Sequence, residues 1–218
     1  MHPLVPLVAD ALEPLTALLA PPRCASCDEP ISSGVAFCRA CASTAERFVS
    51  TDPSLTAAFV YGGAIARAIV RLKYGGRCHI ARPLGDLLWA AIEPRRSALR
   101  DAVVVPVPLH PLRLSERGYN QSTLVARQIA RRLGAPLRAL ALVRTRDTAR
   151  QVCLDRRSRA SNVSGAFVAR RAGSTAPRTA LLVDDVRTTG ATLRECERAL
   201  RSAGTVHVHC AVVAQADG

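Results

Sequence analysis

Residues 180–193 form the part of this sequence that most restricts the possible fold. The run begins with apolar residues typical of a buried strand, continues with Asp184 and Asp185, and passes through a Thr-Thr-Gly turn into a helical pattern. A helix N-terminus that follows a glycine-containing turn presents backbone N–H groups to an anion. The run therefore predicts an α/β fold in which a strand, a turn and a helix together bind a negatively charged group.

Strand and helix patterns alternate along most of the chain. Strands are predicted at residues 57–61, 102–107, 137–143, 179–183 and 206–213, and helices at residues 64–72, 84–92, 118–133 and 191–203. This alternation predicts a parallel sheet flanked by helices, with the ligand at the carboxyl ends of the strands. The polar, arginine-rich residues 145–164 fit neither pattern, and we interpret them as a mobile loop that closes over the site.

The paired aspartates restrict the chemistry of the ligand more than the turn does. Asp184 and Asp185 would repel a phosphate, so they must contact another part of the same molecule. Carboxylates bind vicinal hydroxyls, and the nearby threonine hydroxyls and backbone N–H groups bind phosphate, so a ribose 5-phosphate satisfies both. An acidic strand end followed by a threonine N-cap is the alternative; it explains the start of the helix but not the two aspartates.

A cluster of cysteines precedes the α/β pattern. Two Cys-x-x-Cys pairs, ten residues apart, are formed by Cys24, Cys27, Cys38 and Cys41. Four thiolates in a tetrahedral arrangement make a structural zinc site with no open position, while an iron–sulfur cluster, a redox pair or four ordinary thiols are the alternatives. The other four cysteines are scattered, which indicates a reducing compartment rather than a disulfide framework, and we expect a cytoplasmic protein.

The first twenty residues carry leucines and valines at helical spacing and predict an amphipathic helix. Asp10 and Glu13 interrupt the apolar run, and no basic residue precedes it, which argues against a signal peptide. The absence of basic residues also makes a membrane-surface helix the weaker alternative, and no stretch qualifies as a membrane span. We therefore expect three parts: a helix at residues 1–20, a four-cysteine module at residues 21–48, and the α/β domain at residues 49–218.

The charge is strongly basic and unevenly distributed. The net charge is +13, and residues 100–171 alone hold fifteen arginines against four acidic residues. Such a segment attracts polyphosphates or nucleic acid, although a solvated arginine-rich surface is the alternative. Lys73 is the sole lysine of the chain and precedes Gly75 and Gly76, where a ligand can approach the backbone closely.

These motifs together resemble known families. Residues 180–193 resemble the motif with which type I phosphoribosyltransferases bind phosphoribosyl diphosphate (PRPP). Together with the cysteine module, further segments resemble the ComF (competence protein F) family; these are residues 73–76 (Lys-Tyr-Gly-Gly), residues 105–113, residues 116–121 (Glu-Arg-Gly-Tyr-Asn-Gln), and Gln151, Leu154, Arg159, Asn162, Ala166 and Phe167.

The resemblance implies an N-terminal zinc ribbon and a type I phosphoribosyltransferase-like domain. It implies that Asp184 and Asp185, the catalytic candidates, bind the ribose hydroxyls. The 5-phosphate would then be bound by Arg187, Thr188, Thr189, Gly190, Ala191 and Thr192. The pyrophosphate would lie in the loop after the first long strand, where Arg113 and Arg117 are suitable donors and Lys73 supplies a further charge.

Two classes of function are compatible with this resemblance. As an enzyme, the chain would transfer a phosphoribosyl group from PRPP, with Mg²⁺, to an acceptor that no residue identifies, and would release pyrophosphate. As a non-catalytic factor in DNA uptake or processing, it would bind single-stranded DNA through the basic segment and act with competence or DNA-processing proteins. The low aromatic content, 4%, gives few rings for bases to stack on. A redox or metal-sensing role would require a reactive cysteine pair.

Overall fold

The computed structural model describes residues 21–146, 163–170 and 176–216. The helix predicted at residues 1–20 and most of the loop predicted at residues 145–164 lie outside these ranges. The strands are β1 (Leu55–Val60), β2 (Ala102–Pro106), β3 (Leu142–Arg144), β4 (Phe167–Ala169), β5 (Thr179–Arg187) and β6 (His207–Gln215). The helices are α1 (Arg39–Ala42), α2 (Gly63–Tyr74), α3 (Ala81–Ile92), α4 (Pro111–Arg117), α5 (Gln121–Leu133) and α6 (Ala191–Ser202), with 3₁₀ turns at Cys78–Ile80 and Glu93–Leu99.

Four parallel strands form the central sheet in the order β1-β6-β5-β2. Alternate residues of β5 enter two separate apolar clusters: Leu181 and Val183 pack with helices α2, α3 and α5, whereas Ala180 and Leu182 pack with α6. Burial of a strand on both faces explains its continuous apolar sequence. The predicted parallel sheet flanked by helices is confirmed.

The predicted helix at residues 118–133 begins later, and a separate helix precedes it. Pro111 occupies the first turn of α4, where its missing N–H costs nothing, and Gly118 ends that helix in a left-handed conformation with φ of 79°. The side chain of Asn120 then caps α5 by accepting a hydrogen bond from the Ser122 N–H at 3.0 Å. Consequently, Arg113 and Arg117 lie on a short helix within the connection that the sequence analysis treated as a loop.

The strand predicted at residues 137–143 is shorter than expected and lies outside the central sheet. Leu137 forms only an isolated bridge with Val104, and β3 pairs antiparallel with β4, a strand that the sequence analysis did not predict. Because β3 and β4 are three residues each, their periodicity is too short to identify from sequence.

The cysteine-containing segment continues directly into the central sheet. The Val60 N–H donates to the Glu46 carbonyl at 2.9 Å, and the Phe48 N–H donates to the Ala58 carbonyl at 3.3 Å. The chain is thus already paired with β1 where it crosses the expected boundary at residues 48 and 49, and that division stays a prediction. Among the helices that the structure describes, none has the length and apolar character needed to cross a bilayer.

Candidate functional site

The two aspartates lie at the carboxyl end of β5 and are nearly inaccessible to solvent. Asp184 is 8% exposed and Asp185 is 3% exposed. One oxygen of Asp184, Oδ1, accepts hydrogen bonds from the Ser122 hydroxyl at 2.7 Å and from the Asp185 N–H at 2.9 Å. The first turn of α5 therefore holds this carboxylate in place.

Asp185 has a different set of neighbours. Its Oδ1 accepts a hydrogen bond from the Val186 N–H at 2.8 Å, and its Oδ2 lies 2.8 Å from the Lys73 ammonium. Apart from this ion pair, Oδ2 has no hydrogen-bond donor within the described part of the chain. The last turn of α2 and the end of β5 are thus joined through a single pair of charges.

The charges of this cluster do not cancel, since two carboxylates share one ammonium. Burial, and then the charge of Asp185, raises the pKa of Asp184 to about 7. Burial lowers the pKa of Lys73, but the charges of Asp185 and Asp184 outweigh it and leave this pKa above its ordinary value. The lysine is therefore a cation throughout the physiological range, whereas Asp184 titrates near neutrality.

The turn between β5 and α6 has the shape expected of an anion site. Gly190 adopts φ of +76°, and a Cβ built there would lie 2.8 Å from Arg187 Nε. The backbone N–H groups of Thr188, Thr189 and Gly190 have no backbone acceptor among the described residues. Donors grouped around a left-handed glycine form a concave binding surface for phosphate.

Two arginines flank this turn. Arg187 donates to Gln215 Oε1 at 3.0 Å, and Arg194 donates to the Thr189 carbonyl at 2.9 Å. Ala191 and Thr192 lie in the first turn of α6. The six consecutive residues assigned to the 5-phosphate from sequence thus extend from the end of β5 through the turn to the start of α6, and their binding role stays a prediction.

A cleft of 350 Å³ lies at the end of α2. Its walls bring together the three residues that the sequence assigned to pyrophosphate; they are lined by Lys73, Tyr74, Gly76, Arg113, Glu116, Arg117 and Tyr119. Lys73 belongs both to this cleft and to the aspartate cluster, so the two are contiguous.

Residues 117–121 fix the wall of the cleft. The Arg117 guanidinium lies 5.1 Å from the centre of the Tyr74 ring and donates to Gln121 Oε1. The Tyr119 hydroxyl donates to the Leu72 carbonyl, which attaches this turn to the end of α2. These contacts give the Glu-Arg-Gly-Tyr-Asn-Gln motif a positioning role.

The sequence analysis missed Ser122 and Arg194. Ser122 lies in the first turn of a helix whose start had been placed too early, and Arg194 is one of many arginines in the chain. The available signal for Ser122 was its position two residues after Asn120, the N-cap of α5. Small hydroxyl residues at the start of a helix often form hydrogen bonds with neighbouring polar groups.

The four predicted cysteines converge. Their Sγ atoms all lie within 4.8 Å of one another, and those of Cys27 and Cys38 are 3.7 Å apart. A tetrahedral zinc site with bonds of about 2.3 Å has sulfur–sulfur separations of about 3.8 Å. The cluster therefore fits a metal ion held by four thiolates.

Groups around the cluster favour the ionised form of Cys24 and Cys41 but not that of Cys27. The Glu29 N–H lowers the pKa of Cys27, but hydrogen bonds with the neighbouring thiols outweigh it and raise that pKa to about 12. Burial raises the pKa of Cys24, but the N–H groups of Cys27 and Cys38 outweigh it and lower that pKa to about 6. The Ser26 hydroxyl, together with Arg67, lowers the pKa of Cys41. Thiolates are the form that binds metal, so these donors favour the ligating form of two of the four cysteines.

Helix α2 connects the cysteine cluster to the aspartates. Arg67 donates to Ser26 Oγ at 2.9 Å and contacts Cys41 Sγ at 3.7 Å. One turn further along, Arg71 donates to the carbonyls of Cys24 and Ala25 at 3.2 Å. Because Lys73 lies on the same helix, the position of the cysteine module constrains the lysine that contacts Asp185.

Comparison with known proteins identifies the family of the chain. Residues 120–217 match the phosphoribosyl transferase domain. The chain is 30% identical over 199 residues to "Competence protein F" of Haemophilus influenzae, and the match covers 85% of this chain and 86% of that protein. The chain belongs to the competence protein F family.

Other relatives of this competence protein F family member carry different names. "DNA utilization protein YhgH" of Escherichia coli O157:H7 is 36% identical over 156 residues, covering 69% of this chain and 67% of that protein. Among solved structures, glutamine PRPP amidotransferase from B. subtilis, complexed with ADP and GMP, is 27% identical, with a TM-score of 0.39; the match covers 60% of this chain and 25% of that one. The expected family and fold class are confirmed by the matched domain and the cysteine cluster.

Proposed function

We propose that this competence protein F family member binds PRPP at the carboxyl end of β5 and transfers its phosphoribosyl group to an acceptor. The observation that carries this proposal is that both anion-binding features adjoin the paired aspartates. The turn around Gly190 follows the aspartates directly in the chain, and the cleft that contains Arg113 and Arg117 includes Lys73, whose ammonium lies 2.8 Å from Asp185 Oδ2. A sugar with a phosphate at one end and a diphosphate at the other can use both features while its hydroxyls contact the aspartates.

Each feature then has a distinct task. The turn of residues 187–192 binds the 5-phosphate, and Asp184 and Asp185 orient the ribose through its hydroxyls. Arg113 and Arg117 neutralise the negative charge that develops on the departing pyrophosphate, which lowers the barrier to its release. Mg²⁺ that enters with the diphosphate would neutralise a further part of that charge.

Binding and catalysis are tested separately. PRPP and ribose 5-phosphate are expected to raise the melting temperature, because they bind the folded state selectively. The double variant Asp184→Asn, Asp185→Asn should lose this shift, measured from its own unliganded melting temperature. Asp101→Asn is the matched control, since Asp101 is exposed and precedes β2 at the opposite end of the sheet. A double variant that responds to PRPP as the parent does would place the ligand elsewhere; pyrophosphate release with candidate acceptors then tests transfer.

We also infer that the four cysteines hold one structural zinc ion. The separation of the Cys27 and Cys38 sulfurs supports this inference, since 3.7 Å is close to a tetrahedral zinc edge. With four sulfur ligands there is no open position for a substrate, so the ion would stabilise the module and, through Arg67 and Arg71, the helix behind it.

Single-stranded DNA is the second candidate ligand. Helix α4 carries arginines of the basic segment and has no buried residue, so it offers a positive surface. We expect non-specific electrostatic binding whose affinity falls steeply as salt rises. At matched ionic strength and free Mg²⁺, PRPP should compete with DNA if one surface binds both phosphates, and ribose 5-phosphate should compete less well. A nearly salt-independent complex would contradict this candidate. Competence or DNA-processing proteins stay predicted partners.

A further inference from the structure

The ion pair between Lys73 and Asp185 occupies an atom that the proposed ligand needs. Of the two oxygens of Asp185, Oδ1 accepts the Val186 N–H and Oδ2 is covered by the Lys73 ammonium at 2.8 Å. The side chain of Asp185 is 4% exposed, so water does not reach it freely. Although a carboxylate oxygen can accept more than one hydrogen bond, Oδ2 has almost no accessible surface while the ammonium lies against it, so a ribose hydroxyl can reach it only after the ammonium has moved away.

Moving the ammonium away is unfavourable unless another anion receives it. Asp185 would be left as a buried charge next to Asp184, and neither burial nor its neighbour favours that state. The lysine would also lose its partner in a partly buried position, because its side chain is only 22% exposed. Binding a sugar through Asp185 thus carries a built-in cost.

An interaction in the cleft can offset this unfavourable free energy. Lys73 forms part of the cleft wall together with Arg113 and Arg117, and Glu116 is the single acidic residue among the described residues of that lining. A lysine side chain has four rotatable carbon–carbon bonds, so its ammonium can turn from Asp185 into the cleft without movement of α2. A diphosphate bound between the two arginines is an anion that can receive it.

We propose that Lys73 makes this site selective for a sugar phosphate that carries a diphosphate, by transferring its ammonium from Asp185 to the diphosphate. The inference rests on the proposed function and adds a specificity-determining residue to it. With PRPP, the ribose hydroxyls replace the Lys73 ammonium at Asp185, and the ammonium then contacts the diphosphate. With ribose 5-phosphate, no second anion is present, and the ion pair must be broken without compensation.

Titration calorimetry at fixed free Mg²⁺ tests the first consequence. In Lys73→Met, PRPP should bind about tenfold more weakly, because a charge-assisted contact to the diphosphate is lost. Ribose 5-phosphate should bind as well as in the parent or more tightly, because Oδ2 of Asp185 is already open. The ratio of the two dissociation constants should therefore fall about tenfold or more.

A gain of affinity tests the second consequence and cannot result from misfolding. In Asp185→Asn the ammonium has no carboxylate partner, so inorganic pyrophosphate should bind about tenfold more tightly than to the parent. Asp184→Asn is the matched control: it removes a neighbouring carboxylate that makes no ion pair with Lys73. At pH 8, where Asp184 is ionised in the parent, the affinity of this control variant for pyrophosphate should rise by less than about threefold.

The outcomes separate this inference from the function on which it rests. If Lys73→Met weakened the binding of PRPP and of ribose 5-phosphate equally, the proposed transfer of the ammonium would be overturned, but the proposal that this site binds PRPP would stand. Equal gains in the two asparagine variants would overturn it as well, since the effect would then be general electrostatics. If the parent protein binds neither PRPP nor pyrophosphate, the proposed function fails and the inference fails with it.

Discussion

Replacing Asp184 by Asn is expected to stabilise the folded chain above neutral pH, although it removes a residue of the proposed site. The carboxylate is buried beside Asp185, which raises the pKa of Asp184 from 3.8 to about 7. Between these two values the folded state binds a proton that the unfolded state has released. Stability therefore falls as the pH rises through this window, and the full cost is present above pH 7.

The size of the effect follows from the pKa difference. A shift of about three units, at 1.36 kcal/mol per unit, corresponds to about 4 kcal/mol when Asp184 is fully ionised. The amide keeps the oxygen that accepts from Ser122 and from the Asp185 N–H, so those hydrogen bonds persist. Its new NH₂ group needs an acceptor, and we expect a net gain of about 2–3 kcal/mol. For a chain of this length that is about 4–12 °C in melting temperature.

Urea and thermal unfolding at pH 5 and pH 8 measure this gain. At pH 8 the variant should have a larger free energy of unfolding than the parent. The difference should shrink at pH 5, where Asp184 in the folded parent is protonated. Asp101→Asn, which removes an exposed carboxylate, is the control and should change little. A variant no more stable than the parent at pH 8, or a gain that is equal at both pH values, would refute the reasoning.

Three further outcomes are expected. Cys24→Ser should remove about one zinc per chain and lower stability, whereas Cys78→Ser, at an exposed free cysteine, should leave the metal content unchanged; equal metal in both would contradict a four-cysteine site. Gly190→Ala and Gly134→Ala should both lose stability, since both glycines have positive φ, but only the former, where a Cβ meets Arg187, should weaken ribose 5-phosphate binding in calorimetry. Burial, and then the charge of Arg95, lowers the pKa of His209 to about 4, so stability should be lost as the pH falls from about 6.5 towards 4; His209→Gln should reduce that loss in urea titrations, and an unchanged pH profile would show that this histidine is not its source.

Local patterns made much of this molecule predictable. The apolar runs at residues 102–107 and 179–183 identified buried strands, because short, uninterrupted apolar runs rich in branched residues are typical of strands covered on both faces. The turn around Gly190 was equally predictable from sequence, since a left-handed backbone conformation between a strand and a helix favours glycine at that position. The spacing of the four cysteines predicted their convergence for the same reason: short loops leave few ways to place two Cys-x-x-Cys pairs.

The sequence by itself determined the strands of the parallel sheet, the glycine-containing turn after β5 and the four-cysteine cluster, because in each of them the deciding residues are close together in the chain. Only the tertiary structure decided which residues from distant segments complete the site. The contact of Ser122 with Asp184 depends on how α5 packs against β5, and that of Lys73 with Asp185 depends on how α2 packs on the same face. Packing between elements is set by the volume and shape of the whole core, which no local periodicity records.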